Sequence, residues 1–179
     1  MKITLVTNAA TEQDYLDICL GRENISLCDD GRRQATKLKD KFKDKKFDYC
    51  YMSPLVRAVE TAIILIGDRV LTIPDVRLIS RDIGEYEGMP QKFYDLYKYC
   101  DLELNASDRG VEPIKDVFER CSEFLSDIKE RYKSKNILIV SDKLSIKILK
   151  YLLCEKNNFN EFINLDIGNL YCEDFVISE

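Results

Sequence analysis

Two short runs of β-branched and apolar residues, Ile3–Val6 and Ile137–Val140, constrain the architecture more than any other feature of this chain. Neither alternates cleanly between apolar and polar positions, so each suits a strand buried on both faces, and sheets of such strands are mostly parallel with helices covering them. The first run closes at Thr7-Asn8-Ala9-Ala10 and the second at Ser141-Asp142-Lys143, polar or small steps that end a strand in a loop.

The segments between these runs alternate helix and strand patterns. Gly31 to Phe42 carries Ala35, Leu38 and Phe42 on one face with lysines and arginines between them, an amphipathic helix. Phe47 to Met52 reads as a strand. Ser53 and Pro54 then suit the N-cap and first turn of a helix continued by Ala58, Ala62 and Leu65. Val70 to Ile73 is a further strand ending at Pro74. From Asp75 to Gly110 the periodicity loosens into an insertion with Gly84, Gly88, Pro90 and an aromatic cluster at Phe93, Tyr94, Tyr97 and Tyr99. Ile114 to Tyr132 puts Val117, Cys121, Phe124, Leu125 and Ile128 on one helical face. Ile146, Leu149, Leu152 and Leu153 do the same over 143–154, and Leu170 to Ile177 alternates as a closing strand. The expected fold is a three-layer α/β/α domain over 1–179 with a mostly parallel central sheet. Ligands would meet it at the carboxyl ends of the strands.

Composition narrows the function. The 179 residues are 45% apolar, enough for a packed core, and carry 27 Lys plus Arg against 32 Asp plus Glu, a formal charge of −5. An acidic balance argues against a nucleic-acid partner. The start lacks the roughly 7–15-residue apolar stretch of a secretory leader, and no run is long enough to span a bilayer, so no membrane association is expected. Seven dispersed cysteines without a C-x-x-C pair suit reduced packing residues in the cytoplasm. The chain contains no histidine, which removes the commonest general base, metal ligand and phosphoryl acceptor.

Six segments in order nevertheless carry a family pattern. LVTNAATE at 5–12 stands where the pattern has L-V-R-H-G-E-T-E, and GRENISLCDDGRRQA at 21–35 where it has G-R-x-D-x-P-L-T-x-x-G-x-x-Q-A. SPLVRAVETA at 53–62 matches S-P-L-x-R-A-x-Q/E-T-A. DVRLISRDIGEYEG at 75–88, GVEPIKDVFER at 110–120 and NILIVSDKLSIK at 136–147 complete the series. The chain thus resembles the histidine phosphatase superfamily, which includes phosphoglycerate mutases and small phosphomonoesterases such as α-ribazole phosphatase, and the resemblance implies a phosphoglycerate mutase-like fold.

It also implies a chemistry against which each position can be checked. In that family a histidine captures the phosphoryl group, arginines and a second histidine clamp its oxygens, and a glutamate protonates the leaving group, a site built on nucleophilic capture and preorganised positive charge. Asn8 falls at the nucleophile, and its delocalised amide nitrogen forms no useful phosphoenzyme. Thr7 replaces the arginine before it, losing the charge and the bidentate fork. Ser80 replaces the glutamate acid and Asp142 the second histidine. Arg57 persists, with Arg22 in a neighbouring position that faces substrate in the family.

The four clamp positions therefore hold one arginine, one aspartate and two neutral groups, a formal sum of zero. Opposite charges about 4 Å apart attract by ~4 kcal/mol at an effective dielectric near 20, so Arg57 either contacts a ligand or pairs with Asp142 and closes the pocket. Lys143 either restores part of the lost charge or points to solvent. Asp142 is either a polar replacement or a carboxylate nucleophile. Cys50 lies seven residues before Arg57, not at cysteine-phosphatase spacing, and suits the core; Asp101-Leu102-Glu103 follows no apolar strand and suits a solvated acidic loop; and of the carboxylates Asp82, Glu85 and Glu87, which could suggest a metal site, the resemblance accounts for Glu87, together with Gly84 and Gly88, so no metal is expected.

The reading is a pseudoenzyme without metal or cofactor that binds a small phosphorylated or otherwise anionic ligand, or a protein partner. Its ligand-binding set would be Thr7, Asn8, Arg22, Arg57, Asp142 and Lys143, with Asn8, Ser80 and Asp142 as degenerate catalytic positions. The alternative is a weak phosphomonoester hydrolase working without histidine. A homodimer through the aromatic 89–100 segment is a further expectation.

Overall fold

In chain order the strands are β1 (Lys2–Thr7), β2 (Tyr49–Met52), β3 (Leu71–Pro74), β4 (Asn136–Ser141) and β5 (Cys172–Val176). The helices are α1 (Glu12–Leu16), α2 (Asp29–Lys39), α3 (Val56–Ile66), α4 (Leu96–Cys100), α5 (Ile114–Arg131), α6 (Lys143–Leu153) and α7 (Phe159–Asn164). This computed structural model describes residues 1–154, 159–165 and 167–177. The five strands form one sheet in the order β3-β2-β4-β1-β5, parallel throughout except for β5, which runs antiparallel along β1.

The two apolar runs become the adjacent strands β1 and β4, paired from Lys2 with Asn136 to Thr7 with Ser141. Strand geometry then sends alternate residues to opposite layers. Ile3, Leu5, Ile137, Ile139 and Tyr51 pack on one face against Val117, Cys121, Phe124 and Ile128 of α5 and Ile146 and Leu149 of α6. Val6, Leu138, Val140, Cys50 and Met52 pack on the other against Ala58, Ala62, Leu65 and Ile66 of α3 and Phe42 beyond α2. Cys50 is thus a core residue.

Two element boundaries differ from the sequence pattern for local reasons. The helix expected from Ser53 begins at Val56, with Leu55 in the N-cap position. Asn24 from a distant loop supplies the missing cap, its Oδ1 accepting from the Val56 N–H at 2.8 Å. Pro74 lies within β3, which is tolerated because β3 is an edge strand. The short helices α1 and α7 have no strong apolar periodicity and do not appear in the sequence reading.

The 75–110 segment folds as short helical turns around its own small core of Ile83, Tyr86, Tyr99, Ala106, Val111 and Cys19. Tyr94 stacks on Tyr99 at 4.9 Å between ring centres, and Tyr86 meets both rings edge-on. Phe93 and Tyr97 of the same aromatic cluster face solvent. Gly84, at φ +56°, lies against the backbone carbonyl of Arg109, a close approach in a left-handed conformation that only glycine meets without strain.

Candidate functional site

The register of β1 on β4 places Asn8 and Asp142, the next residues along each strand, side by side at the carboxyl edge of the sheet. The Asn8 N–H donates to the Ser141 carbonyl at 2.8 Å. A cavity of about 220 Å³ opens there between the sheet edge and the 75–110 segment. Asn8, Arg57, Ser80, Asp142 and Lys143 all line it. Thr7 and Arg22 do not belong to its lining.

Asp142 is occupied by the helix that follows. As the N-cap of α6 its Oδ1 accepts from the N–H groups of Leu144 at 3.0 Å and Ser145 at 3.2 Å. Its Oδ2 lies 3.0 Å from the Ser145 hydroxyl and 3.2 Å from that of Ser141. The N-terminus of a helix is a ready anion site, and here the protein's own carboxylate fills it.

Arg57, on the first turn of α3, is 2% exposed and held by main chain. Its Nη2 donates to the Gly21 carbonyl at 2.6 Å and its Nη1 to that of Glu23 at 2.9 Å. Among the described residues no ion pair joins Arg57 to Asp142, so of the two alternatives for Arg57 the pairing that would close the pocket does not form. Each group has found backbone partners instead, and the cavity stays open. Burial holds the Arg57 guanidinium below its ordinary value, opposed by the fields of Asp142, Glu87 and Asp14.

Lys143 is tied at the cavity mouth rather than free: its ammonium pairs with Asp14 Oδ1 at 2.8 Å. Asp14 Oδ2 takes the Thr11 N–H and hydroxyl, closing the cap of α1. Burial pushes the Asp14 carboxyl up, but Lys143 and Thr11 outweigh it and hold the group below the usual carboxylate range. Thr7 turns toward the last strand, its hydroxyl donating to the Gly168 carbonyl at 2.7 Å and accepting from the Tyr171 N–H at 2.9 Å. Arg22 sits behind Ser80, donating to its carbonyl at 3.1 Å and to Glu112 at 3.2 Å. Asn8 donates its side-chain amide to the Ala9 carbonyl at 2.9 Å.

The carboxylates weighed as a metal set also have structural work. Glu87 accepts from the N–H groups of Gly21 and Arg22 at 2.6 and 2.8 Å, Asp82 from Gly84 N–H at 2.9 Å, and Glu85 pairs with Arg109. The Glu87 clamp fixes the loop whose carbonyls hold Arg57.

Sequence reasoning missed Arg81. It is 2% exposed and lines the cavity beside Ser80. Its Nε donates to the Glu112 carbonyl at 2.7 Å and its Nη1 to the Tyr99 carbonyl at 2.6 Å, while Nη2 has no partner. One signal was available: Arg81 is a basic residue directly after Ser80, at a place the family pattern leaves unassigned. Cys100 also lines the cavity, but burial raises its thiol above the ordinary value, so it is not poised as a thiolate. With Arg81 counted, three cations (Arg57, Arg81, Lys143) face two carboxylates (Asp14, Asp142), leaving one net positive charge around the cavity.

A mostly parallel five-stranded sheet between helices, with its cavity at the carboxyl ends of two central strands, places the protein among the phosphoglycerate mutase-like α/β folds. The sequence profile of the histidine phosphatase superfamily (branch 1) matches residues 3–174, and the chain belongs to that superfamily. It is 29% identical over 150 residues to the uncharacterized phosphatase PhoE of Bacillus subtilis (strain 168), covering 82% of this chain and 74% of that protein. It is 24% identical over 156 residues to phosphoserine phosphatase 1 of Hydrogenobacter thermophilus, covering 83% and 74%. The solved α-ribazole phosphatase of Shigella flexneri superposes with a TM-score of 0.86 at 21% identity, over 100% of this chain and 92% of that one, a likeness of fold.

Proposed function

We propose that this protein is a catalytically silent member of the superfamily that works by binding a small anionic molecule in the sheet-edge cavity. The observation that carries the reading is the state of Asn8 and Asp142, the positions where the family pattern places its two histidines. The Asn8 nitrogen is a delocalised amide donating to a carbonyl, and the Asp142 carboxylate is consumed in capping α6. Neither offers a basic lone pair for attack on phosphorus, and the chain has no histidine elsewhere to take over. What remains is a net positive, open cavity, which supports binding rather than turnover. Seven free thiols fit a reducing compartment, and we place the protein in the cytoplasm.

The second reading, a weak hydrolase without histidine, is favoured by the phosphatase names of the relatives and by Arg57 keeping its place in the cavity. Hydrolysis of p-nitrophenyl phosphate from pH 4 to 9, run beside Arg57→Ala, separates the two. The silent reading expects both proteins at background. Turnover in the parent that the variant loses would establish the hydrolase, because nucleophile and acid–base groups each contribute roughly 10²–10⁴-fold and a contaminating enzyme would not respond to Arg57.

A further inference from the structure

Buried charged donors are almost always satisfied, and a single orphan in a native fold calls for an explanation such as an absent ligand. Among the described residues the buried side-chain atom without a partner is Arg81 Nη2. The rest of that guanidinium is pinned: Nε to the Glu112 carbonyl, and Nη1 to the Tyr99 carbonyl with the Tyr94 hydroxyl 3.4 Å away. Among the described residues no carboxylate pairs with it, and Glu112 spends its side chain on Arg22 and Arg120. Arg57, in the same cavity wall, is likewise a buried cation held by carbonyls alone. Asp142 and Asp14 line the same cavity and their fields act on Arg57, which leaves Arg81 as the buried guanidinium with an unmet donor.

The rest of the cavity is not built for an inorganic ion. Its apolar wall is Ile18, Leu20, Ile83, Leu96 and Leu144. A second hollow of about 210 Å³, lined by Cys19 and Tyr94 and sharing Leu20, Ile83 and Leu96, adjoins that wall. The main cavity, at about 220 Å³, is below the roughly 300–1,000 Å³ typical of drug-sized ligands. Two features turn away a phosphate dianion: Asp142 already fills the helix N-terminus, and the surplus around the cavity is one positive charge. A carboxylate monoanion matches that surplus, and one of its oxygens supplies the acceptor that Arg81 Nη2 lacks.

Building on the binding role, we propose that the ligand is a small monocarboxylate with an apolar body, its carboxylate on the Arg81 side of the cavity and its body against Leu20, Ile83 and Leu96. Arg81 is then the specificity-determining residue of the site.

Titration calorimetry of the intact protein with hexanoate, hexanamide and inorganic phosphate tests this. Hexanoate is expected to bind at least tenfold more tightly than the uncharged amide and than phosphate. Arg81→Lys, which keeps the charge and loses the Nη2 donor, should weaken hexanoate at least tenfold. Because Arg81 also ties two carbonyls, a second variant guards against misfolding. Leu96 is half-exposed at the rim, so Leu96→Glu should fold normally and still weaken hexanoate by a similar factor. Equal binding of hexanoate and hexanamide, preferential binding of phosphate, or hexanoate binding untouched by Leu96→Glu in a protein of unchanged melting temperature would each overturn the carboxylate assignment while leaving the silent reading intact. Hydrolysis of p-nitrophenyl phosphate that depends on Arg57 would overturn the silent reading on its own.

Discussion

Replacing Asp142 separates a structural carboxylate from a catalytic one. The side chain caps α6 through two main-chain N–H groups, at 3.0 and 3.2 Å. Removing an aspartate N-cap costs about 0.5–2 kcal/mol, including the loss of a negative charge from the positive end of the helix. The hydroxyls of Ser141 and Ser145 add little, because each has a carbonyl within reach, that of Leu78 at 2.6 Å and that of Ile79 at 3.4 Å. Asp142→Ala should therefore cost roughly 1.5 kcal/mol, which for a chain of this size lowers the melting temperature by about 3–6 °C. Asp142→Asn keeps a capping oxygen and loses only the charge, so it should cost about 0.5 kcal/mol. Urea titrations followed by circular dichroism measure both, with equal slopes showing that the unfolding reaction is unchanged. The same Asn variant raises the cavity surplus from one positive charge to two, so phosphate, weakly held by the parent, should bind more tightly. If Asn destabilised as much as Ala, or Ala cost nothing, the capping role would be refuted and Asp142 would have to be explained by a ligand or a reaction.

Asp174 is held at about 2 because Lys45, Thr4 and Lys2 outweigh its burial. A depressed carboxyl stabilises above the unfolded value near 3.8 and loses that contribution as pH falls through 2. The full shift corresponds to ~2.4 kcal/mol, and with a third of the side chain exposed screening reduces this to about 1 kcal/mol. Asp174→Asn should thus be less stable than the parent at pH 7, with the gap shrinking as pH falls through 2 and closing at about pH 1; a gap that persists in stronger acid would mean that packing, not charge, is responsible. Gly31→Ala tests close approach against helix propensity. The exchange favours α2 by about 1 kcal/mol locally, but a Cβ there would press on the backbone carbonyl of Ala10, so a net loss of roughly 1–3 kcal/mol is expected and a raised melting temperature would contradict the packing. Glu87→Gln leaves one acceptor for two N–H groups and should cost about 1.5 kcal/mol. Because the same loop supplies the carbonyls that hold Arg57, ligand affinity should fall with it, and unchanged affinity would uncouple the clamp from the cavity.

The sheet was legible because its information is local. Ile3–Val6 and Ile137–Val140 suit interior strands, and amphipathic faces such as Val117-Cys121-Phe124-Ile128 suit helices packed on such a sheet. Where a long-range hydrogen bond decides, the pattern fails: no rule of spacing reveals that Asn24 caps Val56 and so delays α3. The site divides the same way. Alignment to the family pattern brought Asn8, Arg57, Ser80, Asp142 and Lys143 to one cavity, but could not reveal that Thr7 turns to Gly168 and Tyr171, that Lys143 pairs with Asp14, or that Arg57 and Asp142 find separate partners. Those outcomes depend on which carbonyl or carboxylate the folded chain brings within 3 Å, a property of three dimensions.

That distinction bears on how the two buried arginines are interpreted. Several cations held around an empty pocket repel one another, so on the proposed silent reading stability is gained where neutral or acidic residues that cap and tie loops stand in their place. Thr7 and Asp142 fit that description, and both now make structural hydrogen bonds. Arg57 escapes the same pressure because it anchors the 21–23 loop through two carbonyls, so its presence is explained without any ligand. Arg81 is different. Two of its nitrogens do structural work and the third does none, in a wall where a buried, unmet, charged donor opposes folding. Of the two arginines, the one outside the family's catalytic pattern is therefore the stronger pointer to what the cavity holds.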